Sequence, residues 1–462
     1  MSIVVRASVL LALAAPLCAL AESSSELSQI RQAIEALKRD HEARLQALEA
    51  RLRAAEASST GASPRPSGTA PLAASPSPTP PGAAMPAPAS PVPAASTGSF
   101  NPAMSVILSG LYTRTSRDPA GYAIAGFART ADAEAGPGTR GFSLAETELG
   151  LSAAVDPWLR GTVNLALGSD DSIAVEEAYL QTTALGHGLT LTAGRFKSAI
   201  GYLNSKHAHQ WDFVDAPLAY QALLGGGDAD DGVQLKWVVP TDTYVSLGME
   251  AGRGKGFPGG GDSRNGLGRW ALTAHLGGDW GDSHSWQAGL SVLQSKAVGQ
   301  AWTLDGDLAR AFTGRTRVWV ADAVWTWAPQ GNASRSSVKL QGEWLRAERR
   351  GEVADEAGGV FGLRSAPSGG YLQAVWQFMP RWRVGLRGDW LDPGSVDPAT
   401  GMAWADTAFK PRRRTLMLDY SPSEFSRVRW QLAQDRARPG AADTQFQLQY
   451  QISLGVHGAH AY

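Results

Sequence analysis

His207-Ala208-His209 is followed closely by Asp212 and Asp215, with Lys197 and Lys206 just before them. Imidazole with carboxylate is a donor set that suits zinc, and a receptor for a scarce metal would need one. On an extended segment, however, two histidines one residue apart point to opposite sides, and no H-E-x-x-H spacing accompanies them. No metal ligand set and no cofactor is therefore expected. G-x-S-x-G is absent, and the Ser, His and acidic residues show no organised spacing for nucleophilic catalysis, so no enzyme is expected. GRGKGFPGGG at 252–261 lacks the following helix and the Lys-Ser/Thr ending of a phosphate loop, and reads as a surface loop.

More of the charge sits at alternate positions. In ETELGLSAAV (146–155), Glu146 and Glu148 share a face with Gly150 and Ser152, opposite Leu149 and Leu151. RWRVGLRGDW sets Arg381, Arg383, Arg387 and Asp389 against Trp382, Val384, Leu386 and Trp390. RVRWQL does the same with Arg427, Arg429 and Gln431 against Val428, Trp430 and Leu432. Near the C-terminus Gln445, Gln447, Gln449 and Gln451 alternate with Phe446, Leu448, Tyr450 and Ile452. Period two places each polar set on one side of a strand.

Such strands need an architecture that wets one face and greases the other. The segments run to about ten residues, long enough at a tilt near 45° to cross a hydrocarbon core. There are about sixteen, an even number. Tight links at Asp156-Pro157, 186–188, 240–242, Met379-Pro380 and 421–423 alternate with longer connections at 117–140, 197–230, 252–267, 297–314, 351–368 and 393–409. Backbone groups in lipid must be paired within the protein, so the strands must close. The expected fold is all-β, a transmembrane antiparallel β-barrel of about sixteen strands over residues 100–462. A barrel of that size leaves room for water, and inward Gln, Arg and Glu are cheap only when wet or paired. The inward arginines and the glutamates Glu146, Glu148 and one or both of Glu176 and Glu177 would either set a transverse field across the constriction or neutralise one another.

The preceding segments have other roles. Residues 1–21 form a signal peptide, with Arg6, an apolar run and the small-residue pattern Ala19-Leu20-Ala21. The single cysteine, Cys18, lies in it, so the exported chain has neither disulfide nor thiolate metal site. Residues 22–57 carry a three-four seam with one stutter (Leu27, Ile30, Ile34, Leu37, His41, Leu45, Leu48, Leu52), a periplasmic coiled coil. Residues 58–99 are a linker of Pro, Ala, Ser and Gly. A net charge of −1 gives no reason to expect nucleic acid, and 16 Trp suit rings at a membrane interface.

These features resemble the Gram-negative outer-membrane porin superfamily. GRFKSAIGY after a strand is similar to the segment of phosphate-selective-porin-type proteins that leads into a loop folded into the pore, and the terminal Tyr462 is similar to the aromatic end by which such barrels are recognised for assembly. The resemblance implies a homotrimer of sixteen-stranded diffusion channels, with Lys197, Lys206, His207, His209, Asp212 and Asp215 in the constriction loop. Some sugar-specific porins of this kind also carry a periplasmic coiled coil. The mixed charge of this loop departs from the basic one of phosphate-selective channels. The expected function is passive diffusion of small hydrophilic solutes across the outer membrane. The alternatives are a specific uptake channel or receptor for zinc or a metal complex, and a structural barrel tethering the envelope. Expected partners are outer-membrane lipid, a second and third copy, the barrel-assembly machinery at the C-terminal strand, and the cell wall.

Overall fold

The computed structural model describes residues 102–455 apart from 131, 132, 134, 169–171, 262–264, 305–307 and 399–406. The chain divides into Met1–Thr79 and Pro80–Tyr462, and the described residues all belong to the second unit. The signal peptide, the coiled coil, the linker and Tyr462 lie outside them.

Strands wind antiparallel from Ala103–Thr115 to Asp443–Gly455, and these two pair with each other from Ser105↔Gly455 to Thr115↔Gln445. The sheet is thus closed, with no unpaired edge to meet lipid. Among the described residues twenty strand segments make sixteen wall strands. Gly141–Leu144 continues into Thr147–Ala154, Val360–Ser365 into Ser368–Met379, and Trp382–Asp392 into Val396–Pro398. Gly260–Gly261 only touches the wall through Ala297 and Val298. The alternation of the sequence becomes the alternation of faces. In the closing strand Gln445, Gln447, Gln449 and Gln451 are buried inward, while Tyr450 and Leu454 are about half exposed on the outside. Leu372, Leu386, Trp376 and Trp390 extend the same outward apolar band.

Two connections differ from the sequence expectation. Residues 297–314 and 351–368 are not long loops but strand extensions. His284–Leu304 pairs with Leu308–Trp327 as far as Leu304↔Leu308, and Ser337–Ala354 pairs with Val360–Ser365. Their charged positions Arg310, Glu352 and Arg364 suit water rather than lipid, so polarity had suggested loops. What keeps them straight is a small core of their own, in which Trp302 stacks on Phe312 at 4.4 Å beside Leu304, Val353 and Leu363.

The segment between Leu189–Lys197 and Ala229–Val238 enters the barrel. Its helix, Leu218–Leu224, is buried along its whole length and ends at Gly225 in the left-handed conformation, φ 68°. Leu218, Leu223, Ile200 and Leu203 pack with the inward residues Val318, Val320, Leu345 and Tyr371. The lumen therefore has an apolar floor on one side, against which the loop is laid down.

Candidate functional site

The loop is fixed to the wall at three places. At the first, alternating charge on neighbouring strands builds two cross-strand ladders, Arg383–Asp419–Arg429 and Asp389–Arg413–Asp435. Each follows from period-two placement: the partners are directly opposite in register, where a carboxylate and a guanidinium reach one another. Arg383 holds Asp419 in a fork at 3.0 and 2.6 Å. The ladders then take up the loop. Asp212 receives Lys339 at 2.8 Å, Gln373 at 3.0 Å and Arg383 at 3.2 Å. Asp215 receives Arg387 at 2.8 Å and Arg413 at 2.6 Å. Loop carbonyls accept as well: His209 from Arg427 (2.8 Å), Trp211 from Arg429 (2.9 Å), Asp215 from Arg387 (2.8 Å) and Ala216 from Arg413 (2.7 Å). Burial alone would raise the pKa of both loop aspartates, but Lys339 and Arg383 beside Asp212, and Arg413 and Arg387 beside Asp215, hold them below the usual carboxylate range. Asp389 accepts from the Leu218 amide at 2.9 Å and so satisfies a donor at the start of the loop helix.

The second fixing point is Glu343, 3% exposed on the inward face of Ser337–Ala354. It accepts from the Tyr202 and Leu203 amides (3.2 and 2.9 Å) and from the Tyr220 and Tyr371 hydroxyls (2.8 and 2.7 Å). Gly201, at φ +64°, packs so closely on this carboxylate that an added Cβ would strike it.

The third is the histidine pair. Ala208–Gln210 is one 3-10 turn, closed by the His207 amide on the Gln210 side chain. The segment is therefore not extended. The two rings lie on one side, stacked at 5.5 Å between centroids, against the sequence expectation that they diverge. Glu148 Oε2 is 3.2 Å from Nδ1 of both His207 and His209. His207 Nδ1 also lies 3.0 Å from Glu176, and its Nε2 lies 2.9 Å from Glu177. Both consecutive glutamates reach the lumen because the pairing slips between Asn164 and Leu165, leaving Glu176 as the extra residue of a bulge. Lys197 is 3.4 Å from Glu176. Burial would lower the His207 pKa, but the carboxylates of Glu148, Glu176 and Glu177 outweigh it and hold it well above its ordinary value.

The arginines and glutamates therefore meet the loop rather than facing one another across open water. Gln431 and Gln447 continue the contact, Gln431 donating to Asp215 and Gln447, each at 2.9 Å. Gln451 accepts from Arg427 at 2.8 Å, and Gln449 donates to Ser109 at 3.2 Å. Arg381 is elsewhere: it is exposed in the turn before Trp382, with φ 71°, and does not line the lumen wall. Sequence reasoning missed Glu343, Arg413, Asp419 and Asp435. The last three were open to it, since each falls on the inward register of a strand whose alternation is plain. A cavity of about 920 Å³ remains between the loop and the N-terminal part of the wall, lined among others by Glu146, Glu176, Lys197, Lys206 and Asp230.

No family model matches the chain. Solved structures to which it is similar include outer-membrane proteins. A loop-deletion form of OmpT, an outer membrane protein of Vibrio cholerae, has a TM-score of 0.48 at 12% identity, covering 77% of this chain and 99% of that one. The outer membrane channel DcaP of Acinetobacter baumannii has 0.45 at 13% identity over 77% and 96%. An anion-selective porin from Comamonas acidovorans has 0.43 at 13% identity over 77% and 99%. With 31% identity over 348 residues, 70% of either chain, this protein belongs to one family with an uncharacterized protein of Aquifex aeolicus (strain VF5).

Proposed function

We propose that the protein is an outer-membrane porin, a channel for passive diffusion of small hydrophilic solutes, whose lumen is narrowed by the strapped loop. The observation that carries this reading is the closed sixteen-strand wall with an apolar outside and a polar inside. Sixteen strands enclose a space wide enough for water. The loop packs on the middle and C-terminal strands and leaves the cavity beside Glu146 and Lys206, so solutes pass there. That side mixes Lys197, Lys206 and Lys255 with Glu146, Glu176 and Asp230, which favours modest ion selectivity over a strict choice of sign. In the same reading three copies assemble through their barrels, the C-terminal strand is the assembly signal, and residues 22–57 form a coiled coil in the periplasm with reach toward the cell wall. No catalytic role is assigned.

Conductance of the purified full chain in a planar bilayer tests it. Steps in triplets with a reversal potential near zero in a salt gradient are expected. A folded barrel that passes no ions would overturn the reading.

A further inference from the structure

The histidine end of the strap has a donor arrangement that its hydrogen bonds do not exhaust. Glu146, Glu148, His207 and His209 each bring one ligand atom into a group whose members all lie within 4.8 Å of one another. A tetrahedral zinc site with nitrogen and oxygen ligands at about 2.0–2.1 Å has ligand-to-ligand edges of about 3.3–3.4 Å. The two Glu148–histidine separations, 3.2 Å each, are already close to that edge.

Two further observations point inward to a cation. Glu146 Oε2 is buried without a hydrogen-bond partner among the described residues. Four carboxylates, Glu146, Glu148, Glu176 and Glu177, gather here around one ammonium, Lys197, and two imidazoles. The outer layer of such a site is also present. His207 Nε2 is engaged by Glu177, which itself accepts from the Asn164 side chain at 2.9 Å and the Lys197 amide at 3.1 Å. A carboxylate on the far nitrogen is the usual device for aiming the other ring nitrogen at a metal. Here the other nitrogen, Nδ1, faces Glu148.

We infer that Glu146, Glu148, His207 and His209 form a binding site for a divalent transition-metal ion of the zinc type, held between the second strand and the infolded loop. Two imidazoles and two carboxylates suit zinc better than calcium or magnesium, which take oxygen alone. Glu146 and Ala208 also line the 920 Å³ cavity, which gives the ion a way in. The site goes beyond the channel reading, and binding in detergent is read without any ion flow, so the two ideas fail separately.

The test is calorimetric titration of the chelator-treated full chain with zinc chloride, on the wild type and on Glu148→Gln, His209→Ala and Glu177→Gln, with His187→Ala as a control in an exposed turn. One zinc per chain is expected for the wild type and for the control. Stoichiometric binding should vanish in Glu148→Gln and His209→Ala, and weaken by roughly 10–100-fold in Glu177→Gln. Heat-dependent mobility on a gel checks that each variant is a folded barrel. X-ray absorption of the wild-type complex should give two imidazole and two oxygen ligands, and this readout stands even if a variant misfolds. No stoichiometric binding, binding that survives in the folded variants, or a shell without two imidazoles would each overturn the site.

Discussion

The two ends of the strap use the same kinds of group with the roles exchanged. At the aspartate end the wall is cationic and the loop anionic; at the histidine end the wall is anionic and the loop carries imidazoles. The aspartate end is buried deeply and is held redundantly, with three loop carbonyls accepting from Arg387, Arg413 and Arg429 besides the ion pairs. Its cations are guanidiniums and the Lys339 ammonium, which stay charged at any ordinary pH. The histidine end borders the open cavity, and its charge depends on what the imidazoles bind. One end is held by groups of fixed charge, and the other is where the proposed metal ion would act. In the proposed channel, a loop that narrows the lumen without drifting needs the first, and a loop that takes up a metal needs the second.

The largest way to break this comparison is Asp212→Asn with Asp215→Asn. Leaving buried cations uncompensated costs about 3–5 kcal/mol for each broken pair. Urea unfolding in detergent micelles should show a large drop in midpoint, and a wild-type midpoint would mean that this end is not structural. Next comes Glu343→Gln. Four donors lose a carboxylate, and a buried donor left unmet costs about 1–3 kcal/mol, so the midpoint should fall by less than in the double variant. Gly201→Ala places a methyl group against Glu343 at a left-handed position, with a strain of about 1–3 kcal/mol. It should add flicker to single-channel records, because the loop entry must shift; quiet traces would argue that the fit there is slack.

His207→Ala sharpens the contrast from the other side. The barrel should lose stability, because Glu148, Glu176 and Glu177 are left without the imidazole, but less than in the double asparagine variant, while conductance rises. A destabilisation as large as that of the aspartate variant would erase the distinction. The smallest expected effect is that of mild acid on the aspartate end. The folded pKa values of Asp212 and Asp215 lie below the ordinary value of about 3.9, so their contribution is complete above that value and is lost only as pH falls through the depressed ones. The groups facing them, Lys339, Arg383, Arg387, Arg413 and Arg429, stay cationic throughout this window. The midpoint difference between wild type and the double asparagine variant should therefore stay constant from pH 7 down to about 4. A difference that shrinks across that range would show that the carboxylates are not held.

The sequence carried much of this where a strand crosses lipid. Leu448 and Gln449, or Val428 and Arg429, must face opposite ways, and only one of the two sides can meet hydrocarbon. The contrast disappears in the hairpin extensions that carry Arg310, Glu352 and Arg364, because both faces of a protruding hairpin tolerate water. Polarity there looked like loop although the backbone stays paired. The histidine pair misled for a related reason: residue spacing has geometric meaning only once the local period is known, and one 3-10 turn replaced the period of two.

By itself the sequence determined the barrel and its inward and outward faces, because period-two alternation over about ten residues has one solution in a membrane. Only the tertiary structure decided that the inward charges spend themselves on the loop, that a bulge brings both Glu176 and Glu177 to His207, and that Glu343 anchors the loop entry. Those partners are separated by 30 residues or more along the chain, from His207–Glu177 at 30 to Arg427–His209 at 218. Their meeting is set by barrel closure and register, which no local pattern encodes.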